Sequence, residues 1–307
     1  MLDVTLRQLQ IFASVARTAS FSLSAQQLHV TQPAISMQIR QLEEVAGITL
    51  LERLGRKAVL TQAGVELLAH AAAIEEQLRL AQESLDALRG TRIGTLKLGA
   101  VSTAKYFAPF LLAEFTKQYP GVIIHFSVGN RTEIVRLLAD NEIDLAIMGR
   151  PPRELQTRAE AMARHPFVII APPSHPLAAS RRIPFRRLAD QRFLVREQGS
   201  GTRASMERVF QERGVAYVAS LETSSNETIK QAVIAGMGIA FLSMHTIGLE
   251  LQAGRLVTLD VAGMPLLRDW YVIQLKARRL APTPQAFYAF LMARGAAIIK
   301  TATGIDI

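Results

Sequence analysis

The stretch TQPAISMQIRQL, residues 31–42, combines a helix start with two unlike helix faces. Thr31 can cap a helix, and Pro33 would lie in the first turn, where a missing backbone N–H costs nothing. Apolar residues at 35, 39 and 42 follow the helical spacing of four and three, which predicts one buried face. The opposite face carries mostly small or polar side chains, namely Pro33, Ser36, Met37 and Arg40, with Gln32 at the tip.

Two more helices are predicted before this stretch. Thr5 and Gln8 have the spacing of a capping box, and apolar residues between positions 9 and 19 follow on one face. A shorter helix is predicted from about Ser22 to Leu28, joined to residue 31 by a tight link. Two helices joined by a tight turn, the second with a small and polar outer face, indicate a helix-turn-helix.

The chemistry of that outer face fits the major groove of DNA. Small side chains let a helix lie deep in the groove, and a glutamine at its N-terminal end can pair with an adenine edge. Residues 50–53 and 56–60 are predicted to form a wing of two short strands, whose basic side chains would contact phosphates. The alternative is a three-helix protein-interaction module with a solvated face. The candidate DNA-binding residues are Thr31, Gln32, Pro33, Ser36, Met37, Arg40, Arg53, Arg56 and Lys57.

Six runs in this region resemble the LysR-type transcriptional regulators. They are LRQLQIF at 6–12, FSLSAQQL at 21–28, TQPAIS at 31–36, QLE at 41–43, LLER at 50–53 and LTQAG at 60–64. The resemblance extends over essentially the whole chain and departs slightly at Ser24, where the family usually has alanine. It implies a winged helix-turn-helix DNA-binding domain over residues 1–60.

A long helix without proline is predicted from Thr61 to about Arg89, as a linker and dimerisation helix over residues 61–90. Its apolar residues alternate spacings of four and three, the a/d pattern of a coiled coil. A helix packed on its own domain would give a similar stripe. A coiled-coil dimer would hold two DNA-reading heads and predicts a roughly palindromic site; the family resemblance implies that such dimers pair into tetramers. The seam residues are Leu67, Ala71, Ile74, Leu78, Ala81, Leu85 and Leu88.

The remaining residues, 91–307, alternate predicted strands and helices, which indicates a parallel α/β sheet. The resemblance implies a two-lobed, periplasmic-binding-protein-like effector domain, with lobe I at about 91–162 and 267–307 and lobe II at about 163–266. The predicted strands are 93–101, 122–128, 144–148, 167–171, 193–195, 217–221, 239–243 and 270–276, and the predicted helices are 107–118, 134–139, 203–213, 229–235 and 284–293.

Anion-friendly groups follow four of these predicted strands. In open α/β lobes, ligands bind at the carboxyl ends of strands and at helix N-termini. The formal charge of the chain is +9, and residues 91–307 carry an excess of +10. Each junction taken alone could be an ordinary helix cap, but four together favour a phosphate or carboxylate site. The candidate effector-binding residues are Ser102, Thr103, Lys105, Asn130, Arg131, Thr132, Gly149, Arg150, Ser200, Gly201, Thr202 and Arg203.

A finer resemblance points to the regulators of the Calvin-cycle RuBisCO operons. It rests on STAKYFAP at 102–109, GNR at 129–131, MGRPP at 148–152, REQGSGTR at 196–203, SNETIKQA at 225–232 and AGMGI at 235–239. For that subgroup the resemblance implies phosphorylated effectors such as ribulose bisphosphate, phosphoenolpyruvate or NADPH.

Several function classes are disfavoured by what the chain lacks. It has no cysteine, which excludes a disulfide scaffold, a thiolate metal site and a cysteine nucleophile. No zinc-protease, nucleophile-elbow or P-loop motif is present, so no catalytic residue, metal or cofactor is predicted beyond a small-molecule co-inducer. Gly236 and Gly238 fit a turn before a buried strand better than a membrane span, and residues 1–17 lack an export signal.

The sequence thus predicts a cytoplasmic, non-enzymatic DNA-binding regulator of LysR type that controls carbon-fixation genes in response to a phosphorylated metabolite. Its predicted partners are double-stranded promoter DNA, a small anion, further copies of the chain, and RNA polymerase, with no membrane partner. Three alternatives stay open: a LysR-type regulator of another pathway that senses a different small anion, a solute-binding protein, and an interaction scaffold that does not bind DNA.

Overall fold

The computed structural model describes residues 3–54, 57–88 and 94–305. Contacts divide the chain into two compact units, residues 1–85 and 86–307. The first unit consists of helices α1 Leu6–Thr18, α2 Phe21–Gln27 and α3 Gln32–Ala46, strands β1 Leu51–Leu54 and β2 Lys57–Leu60, and helix α4 Gln62–Leu88, which extends to the end of the unit and beyond. No helix in the described part of the chain is long and apolar enough to cross a membrane.

The helix caps predicted in the first unit are present in the structure. The Thr5 hydroxyl accepts from the Gln8 backbone N–H at 3.2 Å, and the Gln8 side chain accepts from the Thr5 N–H at 2.8 Å. The Thr31 hydroxyl accepts from the Ala34 N–H at 3.4 Å and so caps α3. Both capping predictions are confirmed, and each cap fixes where a helix begins.

One apolar core and one carboxylate hold this unit together. Phe12, Ile35 and Leu42 are fully buried where α1 packs against α3. Glu43 on α3 accepts from the backbone N–H groups of Leu50 and Leu51 at 2.8 and 3.1 Å. The antiparallel hairpin of β1 and β2 is therefore tied directly to the end of α3.

The second unit is a mixed α/β structure with one nine-stranded sheet in the order β4-β3-β5-β11-β6-β9-β7-β8, with β10 beside β6. Its strands are β3 Thr95–Val101, β4 Ile123–Gly129, β5 Leu145–Met148, β6 Thr157–Ala171, β7 Arg192–Arg196, β8 Val218–Thr223, β9 Ile239–Ser243, β10 Val257–Thr258 and β11 Leu266–Leu275. Its helices are α5 Ala108–Gln118, α6 Arg131–Ala139, α7 Gly201–Glu212, α8 Asn226–Ile234, α9 Gly248–Gln252 and α10 Pro282–Thr303.

Two long antiparallel strands, β6 and β11, join the lobes. Their register runs from Thr157 opposite Leu275 to Phe167 opposite Leu266. Lobe I is built on the parallel strands β3, β4 and β5, and lobe II on β7, β8 and β9. Each lobe has its own apolar core, so β6 and β11 are the covalent crossovers between two separately packed bodies.

Several predicted elements were too short, among them the strand predicted at 270–276, which begins at Leu266, and the prediction of a parallel sheet was wrong. The strand predicted at 167–171 is only the last third of β6, because residues 157–164 alternate exposed, often charged side chains with more buried ones. The helix predicted at 284–293 continues to Thr303. The sheet is mixed rather than parallel. The two crossover strands run antiparallel to each other and to their neighbours β5 and β9.

Candidate functional site

The outer face of α3 is exposed as the candidate DNA-binding residues require. Gln32, Pro33 and Arg40 are exposed, Met37 is 54% exposed, and Ser36 is half-buried. Thr31 precedes them as the helix cap. The buried residues of α3 lie on its other side, so the cap and this face form one continuous surface.

The candidate phosphate-binding residues of the hairpin are only partly described. Lys57 is exposed at the start of β2. Arg56 and the side chain of Arg53 lie outside the described residues. A phosphate-contacting role for these three residues therefore stays a prediction.

The seam of α4 divides into two parts. Leu67 packs against the core of the first unit, and Ala71 is fully buried there. At these two positions α4 therefore packs on its own domain, which is the alternative to a coiled-coil seam. Further along, Ile74, Leu78, Ala81 and Leu85 are exposed, with Leu78 44% exposed. Apolar side chains repeating on an exposed face are what a partner helix would cover. The side chain of Leu88 lies outside the described residues.

A cavity of about 330 Å³ lies between the two lobes of the second unit. It opens at the carboxyl ends of β3 and β5 and at the N-termini of α6 and α7, where ligands bind in open α/β structures. Nine of the candidate effector-binding residues line it: Ser102, Thr103, Asn130, Arg131, Gly149, Arg150, Ser200, Gly201 and Thr202.

Two of these lining residues also act as ordinary helix caps. Asn130 accepts from the Glu133 N–H at 3.0 Å, and Glu133 accepts from the Asn130 N–H at 2.8 Å. Ser200 accepts from the Arg203 N–H at 3.5 Å. Capping and ligand binding are compatible here, because the first-turn N–H groups of α7 at Gly201 and Thr202 lie beside the cavity and favour an anion.

Four guanidinium groups give the cavity a strong positive character. Arg131, Arg150, Arg208 and Arg268 all line it. Burial lowers the pKa of Arg150, and the positive charges of Arg208, Arg153, Arg131 and Arg268 lower it further. Asp269 is the one carboxylate among the described residues that lines the cavity, and it is paired with Arg164 at 3.0 Å. An anion between the lobes would offset this repulsion.

The guanidinium group of Arg131 also has a structural contact. It donates to the backbone carbonyl of Arg150 at 2.7 Å and lies 3.6 Å from Glu154. It therefore fixes the segment that follows β5. Arg150 itself is thereby positioned with its side chain at the cavity.

Three candidate effector-binding residues lie away from the cavity. Arg203 donates to the carbonyl of Arg196 at 3.1 Å and pairs with Glu207 at 2.6 Å. Lys105 lies over the Tyr106 ring at 5.2 Å, and Thr132 faces Gly199, where a Cβ would come within 2.8 Å of its hydroxyl. Successive helical residues point about 100° apart, so a contiguous motif cannot turn every side chain into one cavity.

Sequence reasoning missed several lining residues. Ser205 and Arg208 follow Gly201 at spacings of four and seven, so the helical period of α7 could have identified them. His165 and Arg268 come from the crossover strands. They lie opposite each other in the β6–β11 register, and only the topology brings them to the cavity.

Polar contacts join the two lobes on one side. Arg196 of β7 donates to the Ser102 hydroxyl at 3.1 Å. Tyr106 donates to Glu227 at the start of α8, and the buried Lys230 lies 3.0 Å from the same carboxylate. The four arginines of the cavity have no comparable pairing between lobes among the described residues.

Two family models match the chain. The model described as "Bacterial regulatory helix-turn-helix protein, lysR family" matches residues 6–65, and the model described as "LysR substrate binding domain" matches residues 89–296.

Two named regulators are similar over nearly their whole length. The RuBisCO operon transcriptional regulator of Allochromatium vinosum is 46% identical over 295 residues, which cover 96% of this chain and 98% of that protein. The HTH-type transcriptional regulator CbbR of Rhodospirillum rubrum is 51% identical over 288 residues, which cover 94% and 96%.

Two solved structures are similar as well. The CcmR regulatory domain of Synechocystis PCC6803, in complex with 2-PG, has a TM-score of 0.63 and 41% identity and covers 65% of this chain and 96% of that chain. A full-length OxyR variant from Pseudomonas aeruginosa has a TM-score of 0.74 and 22% identity, with 96% of each chain covered. The second likeness concerns the fold alone. The predicted fold class is confirmed.

Proposed function

This chain belongs to the LysR family of bacterial helix-turn-helix transcriptional regulators, and we propose that it regulates carbon-fixation genes in response to a small phosphorylated acid bound between its lobes. The observation that carries the effector proposal is the group of four arginines around the cavity, beside the N-terminus of α7. A phosphate takes charge-assisted hydrogen bonds from guanidinium groups and from helix N-terminal N–H groups. The similarity to RuBisCO operon regulators supports the choice of genes.

The size of the cavity favours a compact effector. Ligand pockets range over roughly 300–1,000 Å³, and a cavity of about 330 Å³ is at the small end. A molecule such as 2-phosphoglycolate (2-PG) suits this volume better than a whole dinucleotide such as NADPH. The similar CcmR domain in complex with 2-PG supports the same class of ligand. A non-phosphorylated anion, the signal of a regulator of another pathway, is the second candidate, because arginines also bind carboxylates.

The regulatory mechanism is a population shift. Without an anion, the positive charges of Arg150 on lobe I and Arg208 on lobe II repel each other across the cavity. A phosphorylated acid binds both and so stabilises the closed arrangement of the lobes. The change in lobe arrangement then reaches the DNA-reading heads through α4. RNA polymerase is the partner whose recruitment would change, and the cytoplasm is the compartment in which these partners meet.

DNA recognition divides into two roles. Gln32, Pro33 and Ser36 read bases, with Thr31, Met37 and Arg40 around them, whereas Lys57 acts with Arg53 and Arg56 on phosphates.

Gln32→Ala should cost about 1–3 kcal/mol of binding free energy at one base position, while Lys57→Ala should weaken binding to all sequences and lower the slope of log affinity against log salt by about one. Fluorescence anisotropy on a fragment from upstream of the RuBisCO genes, against random DNA, measures both. Equal losses on both DNAs for Gln32→Ala would remove it from the base-reading role, and a wild type that prefers neither DNA would refute the regulator proposal for these genes.

Dimerisation through the exposed part of the α4 seam presents two heads to a palindromic site. Leu78→Ala should remove roughly 1 kcal/mol of apolar contact from each protomer and so weaken the dimer about 30-fold. Sedimentation equilibrium measures this directly, and Leu67→Ala is the control, because Leu67 packs against its own unit. If Leu78→Ala leaves the dimer unchanged, the seam is not the interface. The further pairing of dimers into tetramers would appear as a second association step.

A further inference from the structure

Lys230 on α8 is a buried cation of lobe II that lies away from the cavity. Its side chain is 4% exposed, and its ammonium group lies 2.8 Å from the Glu250 carboxylate and 3.0 Å from that of Glu227. It also donates to the backbone carbonyl of Thr246 at 3.0 Å. An ammonium group has three N–H donors, so these three acceptors satisfy it. Lys230 thereby holds the Glu227 carboxylate, whose side chain is 49% exposed, in one place.

Tyr106 of lobe I donates its hydroxyl proton to the same Glu227 carboxylate, and its ring centroid lies 4.9 Å from the Lys230 ammonium nitrogen. Burial and the Glu227 carboxylate raise the pKa of Tyr106, so the hydroxyl remains a donor. Burial acts to raise the pKa of Glu227, but the hydrogen bonds from Tyr106 and Lys230 outweigh it and lower that pKa, so the acceptor is ionised. The bond between the lobes is therefore charge-assisted, which is the stronger kind of hydrogen bond.

An aromatic contact between the lobes accompanies this bond. Phe107, which follows Tyr106, and Trp270 are fully buried in lobe I, with ring centroids 5.0 Å apart. Both reach His245 of lobe II. The Phe107 and His245 ring centroids are 5.9 Å apart, and the indole N–H of Trp270 donates to Nδ1 of His245 at 3.1 Å. A separation of the lobes on this side would therefore also admit water to Trp270.

The run SNETIKQA at 225–232, which carries the lobe II carboxylate and ammonium of this bond, supplies none of the described residues that line the cavity. Any effect of this run on a ligand therefore acts through the arrangement of the lobes. Arg196 provides a short connection, because it donates both to Asn226 of this run and to the hydroxyl of Ser102, a residue that lines the cavity.

We propose that Tyr106, Glu227 and Lys230 form an interlobe cluster of positioning residues for effector binding. Lys230 holds the Glu227 carboxylate where the Tyr106 hydroxyl can donate to it, and this bond favours the arrangement in which arginines of both lobes face one cavity. The inference rests on the proposed effector function and adds residues that do not touch the ligand. A ligand that binds one arrangement loses apparent affinity in proportion to the fraction of chains that adopt it.

Tyr106→Phe tests the cluster, because it removes the hydroxyl and keeps the ring over Lys230. Calorimetry on the full-length protein should give about tenfold weaker binding of 2-PG, since fewer chains adopt the binding arrangement. Tyr288→Phe is the matched control, because the Tyr288 hydroxyl also donates to a carboxylate, that of Glu160, but both residues lie in lobe I. It should change the affinity by less than about twofold.

Lys230→Met should weaken 2-PG binding in the wild-type background and have little further effect in the Tyr106→Phe background, because both substitutions remove the same bond. Lys230→Met leaves two carboxylates without their cation and is expected to lower the midpoint of thermal unfolding. Tyr106→Phe leaves every charge in place, so it decides the test if Lys230→Met does not fold.

Acrylamide quenching of Trp270, the sole tryptophan, reports the lobe arrangement independently. Quenching should be stronger in Tyr106→Phe than in wild type, and saturating 2-PG should reverse the difference, which it would not do for a loss of packing within one lobe. Unchanged 2-PG affinity in Tyr106→Phe, or equal losses in Tyr106→Phe and Tyr288→Phe, would overturn the inference. Additive losses in the double variant would remove Lys230 from the cluster. If wild type binds no 2-PG, the effector proposal fails; stronger quenching in Tyr106→Phe would then still support the cluster as what holds the lobes, and equal quenching would overturn it too.

Discussion

Ser36→Glu is expected to lower the affinity for promoter DNA by about a thousandfold. Ser36 lies on the outer face of α3 between the exposed Gln32 and Arg40. A carboxylate there would enter the major groove next to base acceptors and close to the phosphates. Like charges brought together in an interface cost several kcal/mol, and about 1.4 kcal/mol corresponds to a factor of ten. Anisotropy with a labelled promoter fragment measures the loss.

Gln41→Glu provides a matched control for this prediction. It adds the same charge to the same helix, but 140° away from Ser36 at 100° per residue, and Gln41 accepts from Gln38 at 3.1 Å, as a carboxylate still could. We expect less than about a fivefold loss, which is the general effect of one negative charge near DNA. Equal losses for Ser36→Glu and Gln41→Glu would mean that the outer face of α3 does not enter the groove.

Arg150→Met is expected to weaken 2-PG binding by about a hundredfold. A charge-assisted hydrogen bond contributes about 1.5–3 kcal/mol, and Arg150 reaches the cavity from lobe I while Arg208 reaches it from lobe II. The same substitution should leave the ligand-free protein at least as stable as wild type. The reason is that the charge of Arg150 is disfavoured by burial and by the surrounding arginines.

Arg153→Met is the control for Arg150→Met. Arg153 is exposed, lies three residues further along and does not line the cavity. Its loss changes the net charge by the same amount, so we expect less than about a twofold change in 2-PG affinity. Calorimetry on both variants separates direct binding from the general positive field. Similar losses in both would assign the effect to net charge.

The first unit follows the sequence prediction because its signals are local. Thr5, Thr31 and the spacing within α3 act over one or two helical turns, and the structure forms each cap as predicted. The α4 seam shows the limit of a periodic pattern. Ala71 and Leu78 occupy the same kind of position in the repeat, yet one is buried in its own unit and the other is exposed. The spacing of apolar residues along a helix does not show whether each residue is buried in its own unit or left for a partner chain to cover.

The cavity could be predicted only in part, for a similar reason. Residues that follow strands, such as Ser102 and Gly149, are found because the ends of parallel strands meet at one edge of a sheet. His165 and Arg268 lie within antiparallel crossover strands, and their neighbours in sequence carry no turn or cap signal. Their approach to the cavity depends on pairing across a hundred residues of chain.

Calorimetric titration of the full-length protein tests the central claim most directly. The ligands are 2-PG, ribulose bisphosphate, phosphoenolpyruvate, NADPH, inorganic phosphate, sulfate and a neutral sugar. The account predicts saturable binding of a small phosphorylated acid, tighter than that of inorganic phosphate, and no binding of the sugar. Binding of none of these ligands by folded protein, or equal binding of sulfate and 2-PG, would contradict the claim that the cavity senses a phosphorylated metabolite.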